Sequence, residues 1–349
     1  MAVLDPVETL PEVTRTLLVS QRGAFIHRRG ERLVVSVKGE PDAEYPLLHL
    51  EHVMVLVSGA SVSADIIREC CERGIDLTFL TYWGEPYGRL VSPGLLGTVR
   101  TRREQLLAYN DARGRELAIQ MLRGKLNNQA NLLKYMAKYR KDRSPDVYDQ
   151  VRDASYEIAQ AAEWLAEAPG ETIDHARQPL MVREAEAGRH YWAGLRLLLR
   201  PDVPWEAREH RGAVDLVNSL LNYGYGILQS QVQQAVMLAG LDPFAGFLHA
   251  DRPGKPSMVL DLMEEFRAPV VDRAVISSLN LGQTFEIEDG RLTPHARKLL
   301  ADRVLERLRT AEPFEGRRFQ LGTIIQMQAR AVASFVRDEQ PYRPFLARW

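Results

Sequence analysis

The stretch Tyr87-Gly-Arg-Leu-Val-Ser-Pro-Gly-Leu-Leu-Gly-Thr-Val-Arg-Thr-Arg-Arg-Glu-Gln-Leu-Leu107 decides the fold, because the chain changes texture inside it. Upstream, apolar residues come in short β-branched runs; downstream they recur at helical spacing. Ser92-Pro93-Gly94 is turn chemistry and marks the break.

Working back from the break, Tyr87–Val91 and Ile75–Leu80 read as strands around a Trp83-Gly84 turn. Ser61–Arg73 reads as a helix, with Ser63 as its N-cap and Gly74 as its stop. His52–Val57, Leu33–Val37, Ala24–His27 and Thr16–Ser20 are further strands. Working forward, Glu104–Asn131 carries Leu106, Leu107, Leu117, Met121, Leu122 and Leu126 at helical spacing. Ala213–Ala239 is a second long helix, with Val217, Leu220, Leu221, Ile227, Leu228, Val232 and Val236 on its buried side and Gly240 and Pro243 ending it. Shorter helices are expected at 149–166, 179–199, 257–266, 294–308 and 321–337. The fold class is therefore α+β: a small N-terminal β-rich domain (1–96), a linker (97–106) and a larger all-α C-terminal domain (107–349) that holds the chemistry. A chain of 349 residues exceeds what one core ordinarily organises, which agrees with two domains.

The net charge of -1 excludes a uniformly basic nucleic-acid coat. Charge is nevertheless uneven. Between Arg100 and Arg143 there are twelve lysines and arginines against four acids, an excess of +8, with Tyr109, Tyr135 and Tyr139 interleaved. That combination suits DNA backbone binding and base stacking, or else a solvated helix face. Cys70 and Cys71 are adjacent on a helix, point about 100° apart and so do not form an ordinary disulfide. Met1–Arg15 lacks the pattern of a secretory signal, and no run of about 18 apolar residues occurs. A cytoplasmic protein without a membrane span is expected.

Three places in the helical half can carry chemistry. Glu184 shares one helix line with Gly188, Tyr191 and Leu195, so its carboxylate faces a small, apolar strip. It is paired with an arginine there, or it binds a cation. His249 follows Gly246-Phe-Leu and precedes a loop containing Arg252 and Lys255; it is a satisfied core histidine, a metal ligand or a base. Asp261, Glu264 and Glu265 crowd one helix at i, i+3 and i+4, a spacing that a divalent ion relieves and that an acidic solvated face also produces. One histidine with carboxylates and no thiolate suits Mg2+ or Mn2+ better than zinc. Arg252, Lys255 and Arg267 flank the set with the positive charge a phosphate substrate requires.

Glu184-Ala-Glu-Ala-Gly-Arg-His-Tyr-Trp192, Asp215-Leu-Val-Asn-Ser-Leu-Leu-Asn-Tyr-Gly-Tyr225, Gly240-Leu-Asp-Pro243, Gly246-Phe-Leu-His249 and Asp261-Leu-Met-Glu-Glu-Phe-Arg267, in this order and spacing, resemble the CRISPR-associated integrase family, the universal adaptation protein that inserts spacers. Pro46-Leu-Leu-His-Leu50, Gly74-Ile75, Lys125-Leu-Asn-Asn-Gln129 and Tyr342-Arg-Pro-Phe345 extend the resemblance over nearly the whole chain. It implies a metal-dependent DNA endonuclease-integrase with Glu184, His249 and Glu264 as ligands of Mg2+ or Mn2+ and Asp261 supporting them. It also implies a homodimer built through the β domain, double-stranded DNA (prespacer and CRISPR repeat) as substrate, and a heterohexamer with a small ferredoxin-like adaptation partner. Arg123, Lys134, Lys138, Arg140, Arg252, Lys255 and Arg267 are the candidate DNA contacts. Ala185, where glycine is usual, and Gly188, where alanine is usual, depart from the family pattern by exchanging small residues. Two other functions fit the same residues: a general metal-dependent nuclease of branched repair intermediates, and a non-catalytic DNA-binding scaffold.

Overall fold

A computed structural model describes residues 16–90, 99–209 and 214–348. The boundary at Ser92-Pro93-Gly94, the first residues of the expected linker, the start of the helix expected from Ala213, and Met1–Arg15 lie outside the described residues. The chain divides into two compact units: Met1–Tyr82 with Pro86–Pro93, and Trp83–Glu85 with Gly94–Trp349.

The first unit contains β1 (Thr16–Val19), β2 (Phe25–Arg29), β3 (Arg32–Ser36), β4 (Ala43–Pro46), β5 (His52–Val55), β6 (Ser61–Val62), α1 (Ala64–Arg73), β7 (Asp76–Leu80) and β8 (Pro86–Leu90). These form two four-stranded sheets, ordered β1-β5-β7-β8 and β4-β3-β2-β6. Strand β5 pairs in parallel with both β1 and β7. It is buried along its whole length, which is why it reads as a continuous apolar run rather than an alternation. Leu17, Ile26, Leu33, Val53, Ile66 and Leu77 contribute to one core between the sheets and α1. Helix α1 starts at Ser63, whose hydroxyl accepts from Ile66 N, and ends at Gly74 in the left-handed region, φ 70°. Strands β4 and β6 are too short, or too polar, to announce themselves in sequence. Cys70 and Cys71 are free; burial pushes the Cys70 thiol up to about 12.

A histidine sits in this apolar strand. His52 Nε2 contacts Thr78 Oγ1 at 2.9 Å, and burial, with Arg89 nearby, drives its pKa down to about 3. The native state therefore keeps His52 neutral, while the unfolded chain protonates it near 6.5. Between those values the unfolded state binds the extra proton, so this group's contribution to stability is present above 6.5 and is lost as pH falls towards 3. His52→Gln is expected to flatten the acid limb of the stability profile by up to roughly 1.4 kcal/mol per pH unit. Thermal unfolding of variant and wild type at pH 4.5–7 measures the difference, in which the raised pKa of neighbouring Asp76 largely cancels. Parallel profiles would refute it.

The second unit contains α2 (Val99–Ala108), α3 (Ala112–Ala137), α4 (Pro145–Trp164), α5 (Ile173–Leu198), α6 (Leu216–Leu238), α7 (Ser257–Phe266), α8 (Arg273–Asn280), α9 (Pro294–Arg309) and α10 (Leu321–Val336). Helix α6 lies among α7, α9 and α10. All seven of its expected core positions, from Val217 to Val236, are buried.

The differences from expectation have local causes. The linker assigned to 97–106 is helical from Val99 on, since α2 runs to Ala108. The single helix expected over 104–131 is two, because Asp111 takes an extended conformation and accepts from Arg113 N at 2.9 Å as the cap of α3. Leu106 and Leu107 consequently sit exposed on α2, outside the core stripe of α3. The unit is not purely helical: β9 (Ile287–Glu288) pairs with β10 (Arg291–Leu292), and β11 (Ala311–Phe314) with β12 (Arg317–Gln320). Strands of two to four residues show too few alternations to be read. Between α7 and α8 the chain winds as a π-helix over Arg267–Asp272; Pro269, lacking an N–H, interrupts the regular ladder there.

Candidate active site in the helical unit

Four segments of the second unit converge on a cavity of about 680 Å³ lined by Lys125, Glu184, Tyr225, His249, Glu264 and Arg267, among others. Lys125 comes from the middle of α3, Glu184 from α5, His249 from the loop after α6, and Glu264 from α7. Glu184 is half-buried and faces this cavity, with Gly188 on the same wall. A Cβ at Gly188 would meet nothing within 4 Å, so the glycine–alanine exchange there is sterically neutral.

Asp261 organises the loop that carries His249. Its Oδ2 accepts from the N–H groups of Phe247 (2.6 Å) and Leu248 (3.0 Å), and its Oδ1 from that of His249 (3.0 Å). The same Oδ1 lies 2.6 Å from His249 Nδ1. A carboxylate only accepts, so Nδ1 carries the proton and Nε2 of the neutral ring keeps its lone pair. Nε2 stands 3.9 Å from Glu264 Oε1.

Glu264 is buried and surrounded by cations. Arg267 Nε approaches Oε1 at 3.2 Å and Lys125 Nζ approaches Oε2 at 2.8 Å. Burial favours its protonated form, but the charges of Arg267 and Lys125 outweigh this and hold its pKa well below the usual range. Lys125 Nζ also donates to Glu184 Oε1. Burial alone would depress the Lys125 pKa, yet Glu184 and Glu264 raise it, so the ammonium bridges both carboxylates in its charged form. Among the described residues, no three His, Cys, Asp or Glu side chains are already spaced to hold a metal ion.

On the same cavity wall, Asp272 accepts hydrogen bonds from Tyr191 (2.5 Å) and Tyr225. Burial raises its pKa to about 6, against the pull of the two hydroxyls. The Arg267 guanidinium lies 4.7 Å from the Tyr225 ring centroid, which fixes it by its face while it pairs with Glu264. Glu265 points away from the cavity, where Tyr342, Gln328 and the Phe345 N–H hold it.

The remaining candidates do not line the cavity, although Lys255 lies near enough to Asp261 and Glu264 to feel their charges. Lys134, Lys138 and Arg252 are exposed, whereas Arg123, Arg140 and Lys255 are half-buried. Part of the basic stretch is internal structure: Arg113 pairs with Asp111, Glu104 and Asp338, and Arg115 donates to the Ala168 carbonyl. In the sequence Lys125 stands as one cation of that stretch and as the first residue of a motif carrying the resemblance, with no role in the site. The available signal was its place between buried Leu122 and Leu126 on α3, where a lysine needs a carboxylate partner.

A strand-rich unit followed by a helical unit with a histidine–carboxylate–guanidinium cavity defines a two-domain protein suited to phosphate chemistry. The family described as "CRISPR associated protein Cas1" matches residues 17–306. The chain belongs to this family. "CRISPR-associated endonuclease Cas1 1" of Archaeoglobus fulgidus is 37% identical over 346 residues, covering 95% of this chain and 99% of the relative. A solved "Casposase bound to integration product" superposes with a TM-score of 0.80 at 20% identity, covering 95% of this chain and 93% of that one. A "Cas6-RT-Cas1--Cas2 complex" gives 0.74 at 19% identity, with 99% of this chain matched to 37% of that one. At these identities the two solved structures speak to the fold.

Proposed function

We propose that this protein is a divalent-metal-dependent DNA endonuclease-integrase of CRISPR adaptation, joining prespacer 3′-hydroxyl ends to the leader-proximal repeat by transesterification. The observation that carries this is the convergence of Glu184, His249 Nε2 and Glu264 on one cavity from three separate segments of the chain. The endonuclease name of the relative at 37% identity supports the nuclease half. Joining rather than hydrolysis is supported by the sequence resemblance and by fold neighbours that include a casposase bound to an integration product; the homodimer through the strand-rich unit and a small ferredoxin-like partner rest on the resemblance alone.

The cavity suits a cation. Glu264 Oε2 is buried and accepts no aligned hydrogen bond, although Lys125 stands nearby. Glu184, His249 and Glu264 would hold Mg2+ or Mn2+, given oxygen and nitrogen donors without thiolate. Such an ion supplies Lewis-acid polarisation of a phosphoryl oxygen and helps deprotonate the attacking hydroxyl. The protein's own residues do the rest. Asp261 fixes the imidazole tautomer, and Arg267, held against Tyr225, puts a fixed positive charge where the phosphorane's extra negative charge develops. One P–O bond forms to the incoming 3′-oxygen as one breaks to the departing 3′-oxygen, so the number of phosphodiesters is conserved and no covalent enzyme intermediate is needed. Arg123, Lys134, Lys138, Arg140, Arg252 and Lys255 are the proposed contacts to the DNA backbone. No described helix is long and apolar enough to cross a membrane, and two free cysteines suit a reducing cytoplasm.

The test is joining of a 3′-hydroxyl duplex to a repeat substrate. Product is expected with Mg2+ or Mn2+ and none after exhaustive chelation. Full joining in chelator would overturn the metal dependence. DNA binding without joining under any metal would instead favour the scaffold, and cleavage without joining a general nuclease.

A further inference from the structure

We propose that Lys125 is a built-in counter-cation that competes with the divalent ion for Glu184 and Glu264, clamping the two carboxylates until the ion displaces it. The inference rests on the metal-site assignment above and adds a role for a residue of α3 that no ligand set includes.

The geometry is specific. Lys125 Nζ contacts Glu184 Oε1 and stands 2.8 Å from Glu264 Oε2, so one ammonium occupies the space between the two carboxylates that an ion would share. The Lys125 side chain is only 14% exposed and the Glu264 side chain 4%. Two carboxylates facing each other there would repel in a poorly solvated place, and the ammonium removes that repulsion. A cation coordinated by those oxygens at about 2.0–2.3 Å would press against Nζ, so ammonium and ion cannot both keep these contacts.

Of the two cations on Glu264, Lys125 is the one built to move. Arg267 is pinned on Tyr225 and carries a rigid planar fork, whereas Lys125 ends a flexible four-carbon stem. Its backbone is held firmly. Gly124 packs so tightly that a Cβ would come within 2.8 Å of Glu265 Cγ and of Pro344 Cβ. One turn on, Asn128 Nδ2 donates to the Glu265 and Phe345 carbonyls at 2.8 and 2.9 Å. Only the side chain has room to swing. Metal entry thus replaces the ammonium's contacts to both carboxylates with those of a doubly charged ion, and the displaced ammonium stays in the cavity, available to a phosphate.

Lys125→Met, which keeps length and removes charge, separates this role from simple support. Mn2+ binding is measured by titration calorimetry on wild type, Lys125→Met and Lys125→Arg, and thermal unfolding is measured in EDTA and in Mn2+. Lys125→Met is expected to bind Mn2+ about tenfold tighter or more than wild type. Its Tm should fall in EDTA and recover in Mn2+, giving a larger metal-induced shift, and Lys125→Arg should not tighten binding. Equal or weaker Mn2+ binding by Lys125→Met would overturn the proposal, as would a variant that stays unfolded in both conditions. A variant folded only with Mn2+ would support it. Wild-type protein that binds no Mn2+ would defeat the metal site itself, an outcome distinct from a site that binds Mn2+ indifferently to Lys125.

Discussion

Glu264→Gln is expected to lower strand joining by more than about 100-fold while leaving DNA binding in place, since even groups that merely support a metal ligand cost about 10–100-fold when removed. The substitution keeps shape and removes one negative charge from a cluster in which Glu184 and Glu264 balance Lys125 and Arg267. The cluster becomes net positive and loses a ligand oxygen. Because Arg267 and Lys125 are then left undercompensated in a buried place, stability should also fall, by about 3–5 kcal/mol. Joining assays at saturating Mn2+, a mobility shift with the same duplex and a thermal melt separate the two effects. Joining within tenfold of wild type by a well-folded Glu264→Gln protein would remove Glu264 from the site. Glu184→Gln should show the same loss of joining with a smaller loss of stability, because its side chain is 21% exposed against 4% for Glu264.

Glu265→Ala, one residue away, is expected to act through stability rather than through the cavity. Its carboxylate accepts from Tyr342 Oη, from Gln328 Nε2 at 3.0 Å and from Phe345 N at 2.9 Å, all buried or nearly so. These contacts tie the C-terminal segment onto α7 and α3, and Asn128 Oδ1 accepts from Ala347 N at 2.8 Å in the same seam. Alanine strands several buried donors at once, for a loss of about 3–5 kcal/mol. A drop in Tm of at least about 6 °C is the readout. Glu265→Gln should cost less, because burial already pushes this carboxyl up to about 7 and a neutral side chain is tolerated there. A Glu265→Ala protein melting within 2–3 °C of wild type, or about 1 kcal/mol, would show that the C-terminal segment is held by other contacts.

The two adjacent glutamates show where sequence reading stops. The i, i+3, i+4 spacing of Asp261, Glu264 and Glu265 on α7 correctly brings three carboxylates together along one short helix. It does not reveal that each meets a different environment: three backbone amides and an imidazole for Asp261, two cations for Glu264, and the C-terminal segment for Glu265. Neighbours at i and i+1 point about 100° apart, so one faces the cavity and the other the core. Which is which depends on what packs against the helix.

By itself the sequence determined the class of fold, because strand and helix periods are local consequences of where apolar side chains must be buried, and these change near Arg100. It also determined α1 with its cap and stop, and the core stripe of α6. The tertiary structure decided everything that depends on partners distant in sequence. It broke the expected first long helix at Asp111, turned the assigned linker into α2 and wound Arg267–Asp272 as a π-helix. It drew Arg113 into internal ion pairs and put Lys125 between Glu184 and Glu264. The physical reason is the same in each case. A charge or a backbone break takes its meaning from the groups that solvate it once water is excluded, and those groups are assembled only when the chain has folded.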